Sequence, residues 1–143
     1  MKINELMIGN WVIAPDGDTK ELKEIKVASI KENGIIMDKY FDTIFIETIA
    51  PIPITKDFLK KNGFIQKCIR EPDIFCPEGL FGWEKEVQGN WITLTVGSNK
   101  IDCELILHVD NCDRDSIGNI DIQYVHQLQN VLNILGIEME VIV

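Results

Sequence analysis

No apolar run in this 143-residue chain approaches the roughly 18–20 residues that a membrane-spanning helix needs. The opening residues, Met1-Lys2-Ile3-Asn4-Glu5, lack the basic-then-apolar order of a secretion signal. The four cysteines, Cys68, Cys76, Cys103 and Cys112, include no Cys-x-x-Cys pair. These absences predict a cytoplasmic protein without membrane contact, its thiols reduced, unpaired and metal-free. There is no G-x-G-x-x-G loop and no Walker motif, so no Gly-rich phosphate cradle and no cofactor is expected. With 10 glycines and 5 prolines the chain is neither disordered nor collagen-like. Its length suits one domain or two very small ones.

Positive charge is also scarce where a nucleic-acid binder would need it. The net charge is −9. Residues 1–62 hold 9 basic and 10 acidic residues, and residues 63–143 hold 5 basic and 13 acidic. Phosphate-backbone binding depends on clustered Lys and Arg. Lys20, Lys23, Lys26 and Lys31 are interleaved with acids, and the second part has no cluster. Direct binding to nucleic acid or to anionic lipid is therefore not expected.

What the chain does have is short, well-punctuated elements. Gly9-Asn10-Trp11-Val12-Ile13-Ala14 reads as a strand ended by Pro15-Asp16-Gly17. Glu21 to Lys31 fits helix and strand periods equally. The following Asn33-Gly34, a strong hairpin signal, favours strand. Ile35-Ile36-Met37 and Thr43-Ile44-Phe45-Ile46 read as two more strands. The two prolines in Ile49 to Ile54 confine that stretch to an edge strand or an extended connector. Residues 1–54 are thus expected to form an SH3-like small β-barrel or bent sheet.

Residues 55–143 read as an α+β subdomain. Thr55 to Gly63 carries the marks of a short helix: Thr55 as N-cap, Asp57 early, Lys60 and Lys61 late, and Gly63 for a left-handed stop. An antiparallel meander follows. Phe81, Trp83, Lys85 and Val87 alternate with Leu80, Gly82, Glu84 and Glu86. After a turn at Gly89-Asn90, Ile92, Leu94 and Val96 alternate with Trp91, Thr93 and Thr95. After Gly97-Ser98-Asn99, Ile101, Cys103, Leu105, Leu107 and Val109 oppose Asp102, Glu104, Ile106 and His108. Asp110 to Asn119 reads as a polar loop.

Tyr124, Leu128, Val131, Leu132 and Leu135 then make the single stripe of an amphipathic helix stopped by Gly136. Ile137 to Val143 is strand-like. The fold class expected is α+β: an N-terminal SH3-like barrel or bent sheet, then an antiparallel sheet covered by a C-terminal helix, with Leu128 and Leu132 meeting Ile101, Leu105 and Leu107.

Three segments carry a resemblance: Leu6-Met7-Ile8-Gly9-Asn10-Trp11-Val12, Pro51-Ile52-Pro53-Ile54-Thr55 and Tyr124-Val125-His126-Gln127-Leu128-Gln129-Asn130. In this order they resemble a family of small proteins of gut anaerobes and their prophages. Its members have a similar "IGNWV" start, "PIPLT"-type connector and "YVHQLQN" helix. The resemblance spans nearly the whole chain, but its motifs cover only about 20 residues. The family has no assigned activity. The resemblance therefore implies a mobile-element or accessory setting and transfers no catalytic residue.

Chemistry-bearing residues are few. His126 stands on a helix without a recognisable Ser or Cys nucleophile motif, which favours a structural role. His108, Asp110, Cys103 and Cys112 do not have zinc-site spacing. Asp110-Asn111-Cys112-Asp113-Arg114-Asp115 fails the calcium-loop pattern, because Cys112 and Arg114 stand where oxygen ligands are needed. Glu84 with Glu86, and Asp102 with Glu104, are i, i+2 pairs on single strand faces. Such pairs lie roughly 6.5–7 Å apart between Cα atoms, a spacing some carboxylate hydrolases use; an exposed acidic face is the simpler reading. Trp11, Trp83 and Trp91 read as core rather than as a peptide groove.

The last helix is more informative. Between Gln123 and Gly136 there is no charged residue. The face opposite the apolar stripe holds His126, Gln129, Asn130 and Asn133. A neutral, hydrogen-bonding stripe in a chain that is 26% charged predicts a surface that is covered, by residues 1–54, a second copy or another protein.

These observations favour a non-enzymatic accessory protein acting through protein–protein contacts or as a homo-oligomer, with His126, Gln129, Asn130 and Asn133 as the candidate interaction surface. One alternative is an acidic decoy that imitates phosphate charge to occupy a nucleic-acid-binding protein. Another is a small hydrolase using His126 or a carboxylate pair.

Overall fold

The computed structural model describes residues 2–16, 18–37, 43–71, 74, 80–96, 101–107 and 115–143. Two antiparallel five-stranded sheets and two α-helices are present among them, and the fold class is α+β. Chain order suggests a boundary after residue 54, with everything beyond it in one subdomain. The contacts divide the chain differently. One unit comprises 1–53 with 124–135 and 143, and the other 54–123 with 136–142.

The first unit contains β1 (Trp11–Pro15), β2 (Leu22–Lys31), β3 (Gly34–Met37), β4 (Thr43–Phe45) and β5 (Ala50–Pro51), in the order β4-β3-β2-β1-β5. The sheet curls into a half-barrel. The stretch whose period was ambiguous is a ten-residue strand, because it pairs with β1 along one half and β3 along the other. A bulge between Val27 and Ser29 adds the local twist that curls such a strand. Alternation in β1 buries Val12 and Ala14, which join Leu6, Val27, Ile35 and Ile49 in one core. β5 is an edge strand, where the missing N–H of Pro51 costs no ladder bond.

Two turns in this unit have specific causes. After β1, the Asp16 carboxylate accepts from the backbone N–H groups of Thr19 and Asp18 and pairs with Lys23 at 3.1 Å. The Thr19 N–H first, then Lys23, hold its pKa down at about 2. The β2–β3 hairpin turns at Glu32-Asn33, one residue earlier than Asn33-Gly34, with Lys31 opposite Gly34. Gly34 does not have positive φ. A Cβ there would overlap the carbonyl of Ile44 on β4, so close backbone approach is what demands glycine.

The second unit begins with α1 (Lys56–Lys61). Thr55 Oγ1 accepts the Phe58 N–H at 3.1 Å, as the N-cap reading expects. Gly63 has φ +77°. The Gly63 N–H reaches Lys60 O and the Phe64 N–H reaches Leu59 O, the bond pair of a Schellman stop. Then come β6 (Ile65–Arg70), β7 (Leu80–Val87), β8 (Asn90–Val96), β9 (Ile101–Leu107) and β10 (Asp115–Asp121), in the order β10-β9-β8-β7-β6. The β7–β8 turn is Gln88-Gly89 rather than Gly89-Asn90. Both residues have positive φ, 53° and 79°, as a type I′ hairpin requires.

Two stretches of this unit differ from the sequence reading. Part of the expected polar loop is β10, paired to β9 across a bulge between Ser116 and Asn119. Asp115-Ser116-Ile117-Gly118-Asn119-Ile120-Asp121 has no clean alternation, so its partner strand, not its own pattern, makes it a strand. The tail 137–143 forms no strand. Instead Asn62 Nδ2 donates to Ile142 O (2.7 Å) and Asn62 Oδ1 accepts from Ile142 N (2.8 Å). One side-chain amide supplies the two bonds a neighbouring strand would have made. The apolar pattern is met by burial of Ile137 and Val141.

Gly34 carries a direct test. Gly34→Ala forces β3 and β4 apart, and should lower the unfolding free energy by about 2–3 kcal/mol. Gly136→Ala meets open space at φ +69° and should cost only about 1 kcal/mol. Urea unfolding of both variants measures the difference.

Candidate functional site

The second helix, α2 (Val125–Ile134), starts after Tyr124, whose N–H donates to Gln127 Oε1 at 3.1 Å. Leu128 and Leu132 are buried, as the apolar stripe predicts. Its neutral stripe meets the start of the chain. Gln129 Oε1 accepts from Trp11 N (2.9 Å), and Gln129 Nε2 donates to Gly9 O (3.2 Å). Asn130 Oδ1 accepts from Asn10 Nδ2 (2.9 Å), and Asn130 Nδ2 donates to Glu5 O (2.8 Å). Asn10 is itself locked, its Oδ1 accepting from Met7 N at 2.7 Å. Asn133 is exposed, and its Nδ2 lies 4.0 Å from Met7 Sδ.

The three resembling segments therefore meet one another. Gly9-Asn10-Trp11 receives Gln129 and Asn130. The connector joins the same contact: Ile52 O accepts from Val125 N at 2.9 Å, and Pro53 forms a bridge with Tyr124. Gly9, at φ +91°, lets the backbone turn so that its carbonyl and the Trp11 N–H both face Gln129.

His126 occupies the same helix but a different environment. It is 1% exposed, and neither ring nitrogen has a hydrogen-bond partner among the described residues. Its ring stacks on Tyr124, with centroids 5.8 Å apart at 9°. Burial lowers its pKa from the ordinary 6.5, partly opposed by Glu5. A neutral imidazole so enclosed cannot reach a substrate in this conformation.

In the second unit, register assembles a face that single strands did not reveal. Gly82, Thr95, Asp102 and Asp121 lie in one cross-strand row, and Glu84, Thr93, Glu104 and Asn119 in the next. Glu86, Trp91 and Ile106 form a third. Both carboxylate pairs thus belong to one sheet face, with Asp121 added. Lys67 of β6 shares it, its Nζ 2.7 Å from Glu84 Oε2 and 4.8 Å above the Trp91 ring. On the opposite face Trp83 is 3% exposed, and Ile92 and Leu94 are fully buried. Trp83 is core as expected, while Trp11 and Trp91 are half-buried.

An open groove of about 440 Å³ runs beside α1 and the tail, lined by Lys61, Asn62, Lys85, Glu86, Glu138 and Met139 among others. Lys85 Nζ donates to Asn62 O at 2.7 Å there. Cys76, His108, Asp110 and Cys112, and the side chains of Ile101, Cys103, Leu105 and Leu107, lie outside the described residues. Among the described residues no three metal-binding side chains cluster, and no helix is long and apolar enough to cross a membrane.

Replacing Asn130 by Leu removes two hydrogen bonds and strands the buried Asn10 amide. The loss should be about 2–3 kcal/mol. Because these bonds run within the chain, the melting temperature should fall equally at every protein concentration, with sedimentation unchanged. A concentration-dependent effect would place the cover on another chain.

No protein-family model, curated protein or solved structure matches this chain.

Proposed function

We propose that this chain is a non-enzymatic accessory protein that acts by binding another protein. The acidic face of the second sheet is its working surface. The observation that carries the reading is the register that gathers Glu84, Glu86, Asp102, Glu104 and Asp121 on one face. Aligned carboxylates favour a basic partner and speed its encounter. A partner that normally binds nucleic acid fits this chemistry, which makes the phosphate-imitating decoy the specific form of the proposal. The resemblance to prophage proteins supports a phage or mobile-element setting in the cytoplasm.

Two further observations bear on the other readings. The neutral stripe of α2 is bonded to residues 5–11, which leaves little of it for a partner or a second copy. Hydrolysis through His126 would need that ring to leave its enclosed position. Hydrolysis through Glu84 would need it to leave Lys67.

Protamine, a basic nucleic-acid-binding protein, serves as the probe. The wild-type chain should bind it with an affinity that falls steeply between about 50 and about 300 mM salt. Glu86→Lys, Asp102→Lys and Glu104→Lys combined should weaken binding by at least about tenfold. A control reverses the same number of exposed acids in the first unit, Glu24, Glu32 and Glu47. If the control loses as much, net charge alone explains the binding and the face is not its site.

A further inference from the structure

Among the described residues of the first unit, His126 is the one buried titratable side chain. A neutral imidazole carries one donor and one acceptor, and both are unpaired here among the described residues. An imidazolium would bring two donors and a charge into the same enclosed place, at greater cost. His126 is the second residue of α2, where the positive end of the helix dipole further disfavours a cation.

Among the described residues, the charged and titratable surroundings are sparse. α2 has no acidic or basic residue, and neither β1 nor the 50–54 connector has one. The Tyr124 phenol ring stacks on the imidazole. Glu5, on the N-terminal 3₁₀ turn (Ile3–Glu5), favours the protonated ring, while the α-amino charge acts with burial against it. The Glu5 carboxylate is exposed and accepts the Lys2 N–H at 3.1 Å, and neither His126 nitrogen is bonded to it.

We propose that His126 is an acid-operated latch, whose protonation releases α2 from the N-terminal sheet and uncovers Gln129 and Asn130. A proton from solvent adds to one imidazole nitrogen, and nothing else is exchanged. In the released helix the imidazole titrates near its ordinary value of about 6.5; in the closed unit it titrates lower. The closed state is therefore fully favoured above about pH 6.5. It weakens as pH falls below that value, until the closed-state pKa is passed. Over that window one linked proton raises the opening constant by up to about tenfold per pH unit.

Amide exchange of α2 in the full chain reads the opening constant, after correction for intrinsic exchange rates. His108→Gln is introduced in every sample so that the second histidine does not titrate. As pH falls from about 6.5 toward the closed-state midpoint, protection of Leu128 to Leu132 should fall, by up to about tenfold per pH unit. His126→Phe keeps a ring against Tyr124 and should make that protection independent of pH. Constant protection in the parent, or an equal loss in His126→Phe, overturns the latch. Should the variant not fold, the His126 ring resonance of the parent decides: a midpoint below about 6.5, with protection falling from there and levelling off near that midpoint, supports the latch; a midpoint at or above about 6.5, or a low midpoint without that fall, overturns it.

Discussion

Four hydrogen bonds from two amide side chains of α2 to residues 5–11 close the first unit. They join residues 118 to 125 positions apart in sequence. Loop closure over such a span is entropically costly, and side-chain bonds of about 1 kcal/mol each do not offset it alone. The burial of Leu128, Leu132 and Val125 supplies the larger favourable term. The amides set where the helix lies. A misplaced helix would leave buried donors on Asn10 and Trp11 without acceptors, so the polar bonds select one register from the many that an apolar stripe allows. This also explains why Gln129 and Asn130 are uncharged. A Lys or Glu at Gln129 or Asn130 would bring a charge against backbone groups that one neutral amide satisfies on both sides.

Legibility followed the range of the determining interaction. Thr55 and Gly63 begin and end α1 through bonds to residues within five positions, so their roles were readable from the chain. The cover over His126, Gln129 and Asn130 was readable, because an uncharged face is anomalous in this composition, but the same reading extended it to Asn133, which is exposed. That its cover is Gly9-Asn10-Trp11 was not, since nothing local to either segment names the other. β10 was invisible for a related reason: its residues have little strand pattern, and β9 recruits them. The β2–β3 and β7–β8 turns each lie one residue before their sequence signal, and Gly97-Ser98-Asn99 lies outside the described residues. At Gly34 the glycine answers a neighbouring strand rather than a turn angle. At Gln88 a residue with no special preference takes the left-handed position that asparagine usually holds.

The tail shows how an apolar pattern can be met without a ladder. Ile137 and Val141 are buried as strand-like spacing suggests, yet a single amide, Asn62, stands in for the neighbouring strand. Asn62 also caps α1, its Nδ2 reaching Phe58 O at 2.9 Å. One buried side chain thereby ends a helix and anchors the chain 80 positions later. Gln129 does the equivalent for Gly9 and Trp11. In both units, amide side chains with one donor group and one acceptor imitate a peptide unit and join segments that no backbone ladder connects.

That shared device separates what holds the fold from what is left to meet a partner. In the first unit the neutral polar groups of α2 are consumed in closure, and the enclosed histidine makes that closure sensitive to protons. In the second unit the antiparallel register needs no polar side chain for its pairing, so the β7 and β9 positions that share a face with Glu84 can be acidic. Like charges across neighbouring strands oppose folding modestly. Lys67 relieves part of this by bridging Glu84. Acids kept on one face against that cost are more readily understood as a binding feature than as a stabilising one. The family resemblance, by contrast, rests on residues whose partners are one another. Its motifs lie where the first unit closes, and the binding face proposed above lies on the sheet they do not include.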